Sequence, residues 1–298
     1  MKYDVIIIGG SYAGLSAAMS LGRTIRKVLV IDEDKPCNQQ TPHSHNFLTQ
    51  DGSTPAAIAA LGREQVLKYP TVAIQEGRAI GVKGTDGNFE VSTAAGEQFY
   101  AGKLIFATGI KDIMPGIPGF SDCWGISVIH CPYCHGYEYK TQQTGILINS
   151  DMVADFAGMI RNLTDKLTVF TDGIALISKE NQQRLGKMDV KIDERKIEQI
   201  LHNNGNIGKL VFKDGTFMLD ALYARLPFEQ HCSIPETLGC NFTDMGFIQV
   251  NDLQKTSVAG VFAAGDNVTP FRSVAAAVAA GSKAGAAVNH ELVAEKVW

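Results

Sequence analysis

Two of the six cysteines, Cys131 and Cys134, stand close enough along this chain of 298 residues to do chemistry together. The spacing Cys131-Pro132-Tyr133-Cys134 lets two sulfurs reach bonding distance across a single turn. An unexported protein of this size needs no disulfide scaffold, so one tight pair points to redox work or to metal. Zinc calls for a second pair at similar spacing, and Cys232 and Cys240 do not supply one. His130 and His135 flank the pair and offer nitrogens, but neighbours in sequence rarely converge on one ion. A buried structural role leaves the polarity of the segment, with His130, His135 and Glu138, unexplained. Dithiol/disulfide exchange fits best, and it needs a thiolate with a proton donor or acceptor beside it. His135 directly follows Cys134, and its near-neutral imidazole suits that task. The plain alternative for His135 is a polar residue at a helix start.

A second group of residues has the types that hold a dinucleotide. Residues 4–8 form a β-branched run suited to a strand buried on both faces, and Gly9-Gly10-Ser11-Tyr12-Ala13-Gly14 follows it. Small apolar residues over 15–21 predict a helix, and residues 27–31 a second buried strand ending on Asp32. Backbone N–H groups at such a helix start favour a pyrophosphate. Gly9 permits the tight turn, and Gly14 lets helix and strand pack closely. Ser11 stands where a glycine normally allows phosphate to approach, and its hydroxyl can donate instead. Asp32 lies 18 residues beyond Gly14, at the distance from which an acid accepts from a ribose hydroxyl. Near the C-terminal end, residues 260–266 read as a strand closing on Gly265-Asp266, before a small-residue helix over 273–293 that opens with Val274 and Ala275. A carboxylate there can bond a ribityl chain, and the helix start can face the electron-rich edge of a flavin. The plain alternative is an aspartate capping that helix.

The remaining elements must position these groups. Residues 37–55 are rich in Pro, His, Asn, Gln and Thr and predict a long loop. A helix over 56–68 follows, then short hairpin-like strands at 72–74, 89–92 and 98–100. Residues 104–109 form another buried strand closing on the turn Ala107-Thr108-Gly109, and the stretch Pro115-Gly116-Ile117-Pro118-Gly119 marks a crossing between domains. A second strand–turn–helix–strand unit covers 145–148, 151–162 and 166–170. The result is an α/β chain with two similar halves. A net charge of −4 gives no case for nucleic acid or an anionic membrane. No apolar stretch reaches the roughly 18–20 residues that span a bilayer. The start, Met1-Lys2-Tyr3-Asp4, lacks the form of a signal peptide, which predicts a cytoplasmic protein.

In this order and spacing, Gly9–Gly14, Asp32, Ala107-Thr108-Gly109, Cys131–Cys134 and 260–266 make the chain resemble the low-molecular-weight thioredoxin reductases and their flavoprotein relatives. Those relatives include dithiol oxidases that close disulfides in small molecules such as gliotoxin and holomycin. The form Cys131-Pro132-Tyr133-Cys134-His135 is more similar to the oxidases, since the reductases usually carry Asp after the second cysteine. The resemblance implies two Rossmann-like nucleotide-binding domains of three layers, the second inserted in the first. An FAD domain would span 1–114 and 243–298, an inserted domain with the cysteines 115–242, and the protein would be a homodimer. It also implies that Cys134 faces the flavin and Cys131 attacks the external sulfur. Asn38 and Asn46 would line the flavin pocket, with Thr108 and Gly109 at the adjoining turn, and Ala79 would lie near the adenine.

One departure bears on the electron source. The second turn, where the family carries glycines for NAD(P)H, is Asn149-Ser150-Asp151-Met152-Val153-Ala154. Both leading glycines are absent, and Asp151 puts negative charge where a pyrophosphate would sit. The arginines that read a 2′-phosphate are replaced by Thr171-Asp172-Gly173. Tight NAD(P)H binding is therefore doubtful, the alternative being a divergent NADH site with Asp172 on a ribose. The expected function is an FAD-dependent dithiol oxidase that relays electrons from a thiol substrate, a small molecule or a protein, through Cys131–Cys134 to FAD and on to oxygen or another acceptor. The alternative is a reductase of a thioredoxin-like protein or small disulfide, fed by NAD(P)H or a ferredoxin-type donor. A third possibility is a zinc-binding or non-catalytic domain on a flavoprotein scaffold.

Overall fold

The computed structural model describes residues 2–296. It divides into two compact units, one comprising Met1–Gln39, Phe47–Lys111 and Phe228–Trp298, the other Gln40–Asn46 and Asp112–Pro227. The crossings Ile110–Asp112 and Phe228–Gln230 pair as a two-stranded ribbon. The return crossing thus falls well before residue 243. Residues beyond it pack Ile234, Cys240 and Ile248 into the same apolar cluster as Ile6 and Ile8, so they belong to the first unit.

In the first unit the apolar run becomes the strand Lys2–Ile8, with Val5, Ile6 and Ile7 fully buried. It pairs in parallel with Val28–Asp32 on one side and with Gln98–Phe106 on the other. Val72–Glu76 adds at one edge in parallel and Val261–Ala263 beside Leu104–Phe106. The segment 72–74 is thus not a hairpin arm: Val72 and its neighbours extend the parallel sheet beside Val28. Residues 98–100 and 104–106, read as separate pieces, lie in one strand, Gln98–Phe106. Its start pairs antiparallel with Asn88–Thr93, which in turn pairs with Ala79–Thr85. Helices cover one face and this antiparallel layer the other, each over its own apolar cluster.

Small residues bring two helices of the first unit, Tyr12–Arg23 and Val274–Ala294, very close. A Cβ at Gly281 would lie 2.0 Å from the Ala13 carbonyl oxygen, and Ser16 Oγ donates to the Val278 carbonyl at 2.7 Å. This contact locks the helix after the Gly-rich turn to the helix after Gly265-Asp266, two sequence-distant motifs.

The second unit repeats the plan. Its parallel sheet runs Lys191–Asp193, Leu167–Phe170, Thr144–Leu147, Ala221–Ala224, Val128–Ile129. The antiparallel layer is Ile197–Asn203, Asn206–Phe212 and Gly215–Met218. The architecture is two three-layer Rossmann-like units, the second interrupting the first.

Candidate active site

Cys131 sits at the N-cap of a one-turn helix, Pro132–His135, which places both cysteines on the same turn. The amides of Cys134 and His135 donate to the Cys131 carbonyl at 3.3 and 3.2 Å, and the two Sγ atoms stand 2.6 Å apart. Pro132 at the first helical position gives up no hydrogen bond, since that amide would have none inside the helix. His135 is half-buried, and burial pushes its pKa below the usual histidine value, outweighing Glu138, which raises it. The imidazole is therefore held neutral near pH 7 and able to accept a proton. His45 joins the same neighbourhood, its Nε2 3.4 Å from Glu138 Oε1. Only the chain path of the polar segment 40–46, which the fold gathers into the second unit, reveals it.

The other four cysteines have different surroundings. Cys123 is buried and its thiol is pushed up to about 11, chiefly by burial. Cys232 and Cys240 pack into the first unit's core, and burial raises both. Cys37 is exposed.

The Gly-rich turn is built for close approach. Gly9 has φ +102°, and a Cβ there would lie 2.3 Å from the Ala107 carbonyl oxygen. A Cβ at Gly14 would lie 1.9 Å from the Gly9 carbonyl oxygen. Gly10 has the Asp32 side chain within 2.8 Å of where its Cβ would be, so the acid at the end of Val28–Asp32 lies against the turn. Ser11 caps the helix Tyr12–Arg23 without a side-chain hydrogen bond, and no acid occupies the first turn. The leading N–H groups of that helix therefore keep an anion-binding end. Asp32 also pairs with Arg63, which bonds Asp34 at 3.0 Å, a partnership the sequence did not signal.

The remaining predicted residues are distributed as follows. Asn38 Nδ2 donates to the Tyr12 hydroxyl at 3.4 Å, within the first unit. Asn46 is exposed at φ +59° and groups with the second unit. Ala79 begins the strand Ala79–Thr85 with its methyl buried in the core, leaving only its backbone for a ligand. Thr108 Oγ1 and Gly109 (φ +62°) follow the strand Gln98–Phe106. Gly265 (φ +98°) and Asp266 follow Val261–Ala263, and Val274 and Ala275 start the last helix, capped by Ser273. Arg272 Nε lies 3.4 Å from Asp266 Oδ2. Buried Asn267 ties the two strand ends together, donating to the Phe106 carbonyl at 2.9 Å and to Thr108 Oγ1 at 3.5 Å. Neither residue stood out in sequence.

The second turn is arranged differently. Asn149 Nδ2 donates to the carbonyls of Thr171 and Ile174 at 3.1 and 3.0 Å, and its Oδ1 accepts from Leu176 N–H at 2.6 Å. Asp151, at the N-cap of Met152–Arg161, accepts from Ser178 N–H at 2.7 Å. Hydrogen bonds from Asn181 and Ser178 hold its carboxyl below the usual carboxylate range. Asp172, at φ +50°, accepts from Ile197 N–H at 2.7 Å. The chain's own segment 171–178, which follows Leu167–Phe170, is thereby bonded to the turn that follows Thr144–Leu147.

Residues 3–282 match the family described as pyridine nucleotide-disulphide oxidoreductase. A thioredoxin reductase of Claviceps purpurea, tcpT, is 33% identical over 98% of this chain and 95% of its own length. The chain belongs to this family. Its fold superimposes on an oxidoreductase from Agrobacterium tumefaciens with a TM-score of 0.93 at 38% identity, covering 99% and 100% of the two chains. HlmI aligns with a TM-score of 0.93 at 30% identity, over 99% and 93%. As a member of the thioredoxin reductase-like family, the chain is an FAD-binding oxidoreductase. Among the described residues no helix is long and apolar enough to cross a membrane.

Proposed function

We propose that this flavoprotein is a dithiol oxidase, taking electrons from a thiol substrate at Cys131–Cys134 without tight use of NAD(P)H. The observation that favours this direction is the Asn149 side chain bonded to Thr171, Ile174 and Leu176. In open α/β sheets a dinucleotide lies outside the carboxyl ends of the strands, with its pyrophosphate at a helix N-terminus. Here the turn after Thr144–Leu147 is bonded to the protein's own segment 171–178 instead, and Asp151 sets a carboxylate at the helix start. These residues do not fit a tightly held NAD(P)H.

The first turn does fit a pyrophosphate. We assign Gly9, Gly10, Ser11, Ala13 and Gly14 to it, and Asp32 to a ribose. Thr108, Gly109, Gly265, Asp266 and the helix start at Val274 and Ala275 then take the flavin side, with Asn38 and Ala79 as further contacts. FAD, when bound, supplies a two-electron acceptor that passes its electrons to oxygen or another external acceptor. The protein's own groups do the sulfur chemistry. A substrate thiolate attacks Cys131 Sγ, the Cys131–Cys134 bond breaks, and Cys134 leaves as the thiolate with the electron pair. The substrate's second thiol gives its proton to neutral His135 and attacks its own sulfur bound to Cys131. That releases the substrate disulfide and a Cys131 thiolate. The proposal extends to a homodimer.

Anaerobic titration of the purified yellow protein tests this. A dithiol should bleach the flavin, and air should restore the colour with formation of peroxide. Rapid stoichiometric bleaching by NADPH or NADH would overturn the oxidase assignment. It would favour a disulfide reductase acting on a thioredoxin-like protein, the activity in the name of the Claviceps relative.

A further inference from the structure

The strand Val28–Asp32 ends on a run of acids, Asp32-Glu33-Asp34, beside the Gly-rich turn assigned above to a pyrophosphate. Carboxylates next to a diphosphate are repelled by it and by one another, so each needs a counter-ion to hold its place. Glu33 takes Lys35 at 2.7 Å. Asp32 and Asp34 share one cation: Arg63 Nη2 donates to Asp32 Oδ2 and, at 3.0 Å, to Asp34 Oδ1.

Arg63 comes from the helix Pro55–Leu67, which Thr54 caps by accepting from Ala57 N–H at 3.1 Å. The glycine before it sets the approach. A Cβ at Gly62 would lie 3.2 Å from Leu15 Cδ1, so this helix rests closely on Tyr12–Arg23, the helix that follows the Gly-rich turn. The ion pair is not a solvated surface contact, since the Asp32 side chain is 14% exposed and that of Arg63 30%. Its geometry also selects one oxygen of Asp32. The same Oδ2 that takes Arg63 lies 2.8 Å from where a Cβ of Gly10 would be, against the turn. The arginine bond is the only side-chain hydrogen bond of Asp32 among the described residues, which leaves Oδ1 to accept from a ligand.

We infer that Arg63 is a positioning residue for FAD: it pins Asp32 through Oδ2 so that Oδ1 accepts from the hydroxyls of the adenosine ribose. Without the arginine, repulsion from the diphosphate turns the carboxylate away from the ribose. Asp34 holds the guanidinium from its other side and keeps it within reach of Asp32. This assignment rests on the reading of Asp32 as the ribose acid.

The test uses the full-length flavoprotein, equilibrated with an excess of FAD and an equal amount of an FAD analogue that lacks both hydroxyls of the adenosine ribose. Chromatography of the flavin that stays bound gives the preference for those hydroxyls. Charge effects on the diphosphate act on both flavins alike and cancel in the ratio. The parent should prefer FAD by about tenfold or more, the effect of one charge-assisted hydrogen bond. Arg63→Met keeps the apolar stem and should lower that preference to about threefold or less. Asp34→Asn loosens only the exposed anchor and should lower it by about twofold; it decides alone if Arg63→Met does not fold. A preference that the folded variant retains in full overturns the inference, and it does so even where that variant melts lower, as loss of a merely structural ion pair would cause. A parent without any preference removes Asp32 from the ribose, and the role of Arg63 falls with it. A parent preference that Asp32→Asn abolishes and Arg63→Met leaves unmoved keeps Asp32 in place and removes Arg63 alone.

Discussion

Replacing Asn149 by glycine should open the second turn to nicotinamide dinucleotides. The substitution restores the residue type that allows phosphate to approach and removes three hydrogen bonds, to Thr171, Ile174 and Leu176. Two of those bonds are solvent-exposed, so each contributes at the low end of roughly 0.5–1.5 kcal/mol. Together they amount to about 2 kcal/mol in favour of the closed loop, a factor of about 30 in population. A ligand that needs the open loop has its apparent affinity weakened by that same factor. The variant should therefore bleach anaerobically about 30-fold faster than the parent at subsaturating NADH, if the loop alone sets the barrier. Hydrogen exchange of the Leu176 amide should accelerate by a similar factor. Asp151 retains its bond to Ser178, so part of the closure survives in the single variant. Unchanged exchange at Leu176 would refute the clamp. Accelerated exchange without any NADH response would show that the loop opens but the crevice still rejects the dinucleotide.

Other consequences follow from burial and charge. Cys131→Ser should retain FAD and lose thiol turnover, read by flavin absorbance and oxygen uptake; full turnover would remove the pair from the chemistry. Burial depresses the His135 pKa, so its base form persists below the ordinary histidine value of roughly 6.5. The acid limb of the kcat/KM profile should accordingly lie below that pH, and His135→Ala should abolish it with a loss of about 10²–10⁴-fold in rate. Lys103 is fully buried, donating to Asp86 at 2.6 Å, to Glu291 at 2.8 Å and to Glu295. Lys103→Met removes the cation shared by Asp86, Glu291 and Glu295, leaving Glu291 only its pair with Lys255, and should cost about 3 kcal/mol, lowering the melting temperature by about 5 °C or more. Burial raises the Glu291 pKa, but Lys103 and Lys255 outweigh it and hold the carboxyl below its usual range. Its contribution is thus present above about pH 4.3 and lost as pH falls through the depressed value, so the gap between variant and parent should shrink in acid.

The parts of the candidate site were legible early because they depend on short-range spacing. Two cysteines one turn apart and a Gly-rich turn between a buried strand and a helix each have a local physical reason, and both form as expected. Long apolar runs such as residues 4–8 likewise announce buried parallel strands. The segment 72–74 could not be placed, because a short β-branched stretch looks the same at a parallel edge as in a hairpin. The second unit's antiparallel layer, from Ile197 to Met218, was not legible for a related reason: its strands bury few side chains and do not alternate strictly. Sequence also showed that glycines were missing around Asn149, but not what the replacement side chain does. Its three partners lie 22 to 27 residues away and meet it only when two parallel strands end side by side. Residue type and spacing determined the short-range turns of this chain and the family it resembles. Tertiary packing decided which groups surround the sulfurs, because burial and partner distance, which set protonation, are properties of the folded chain alone.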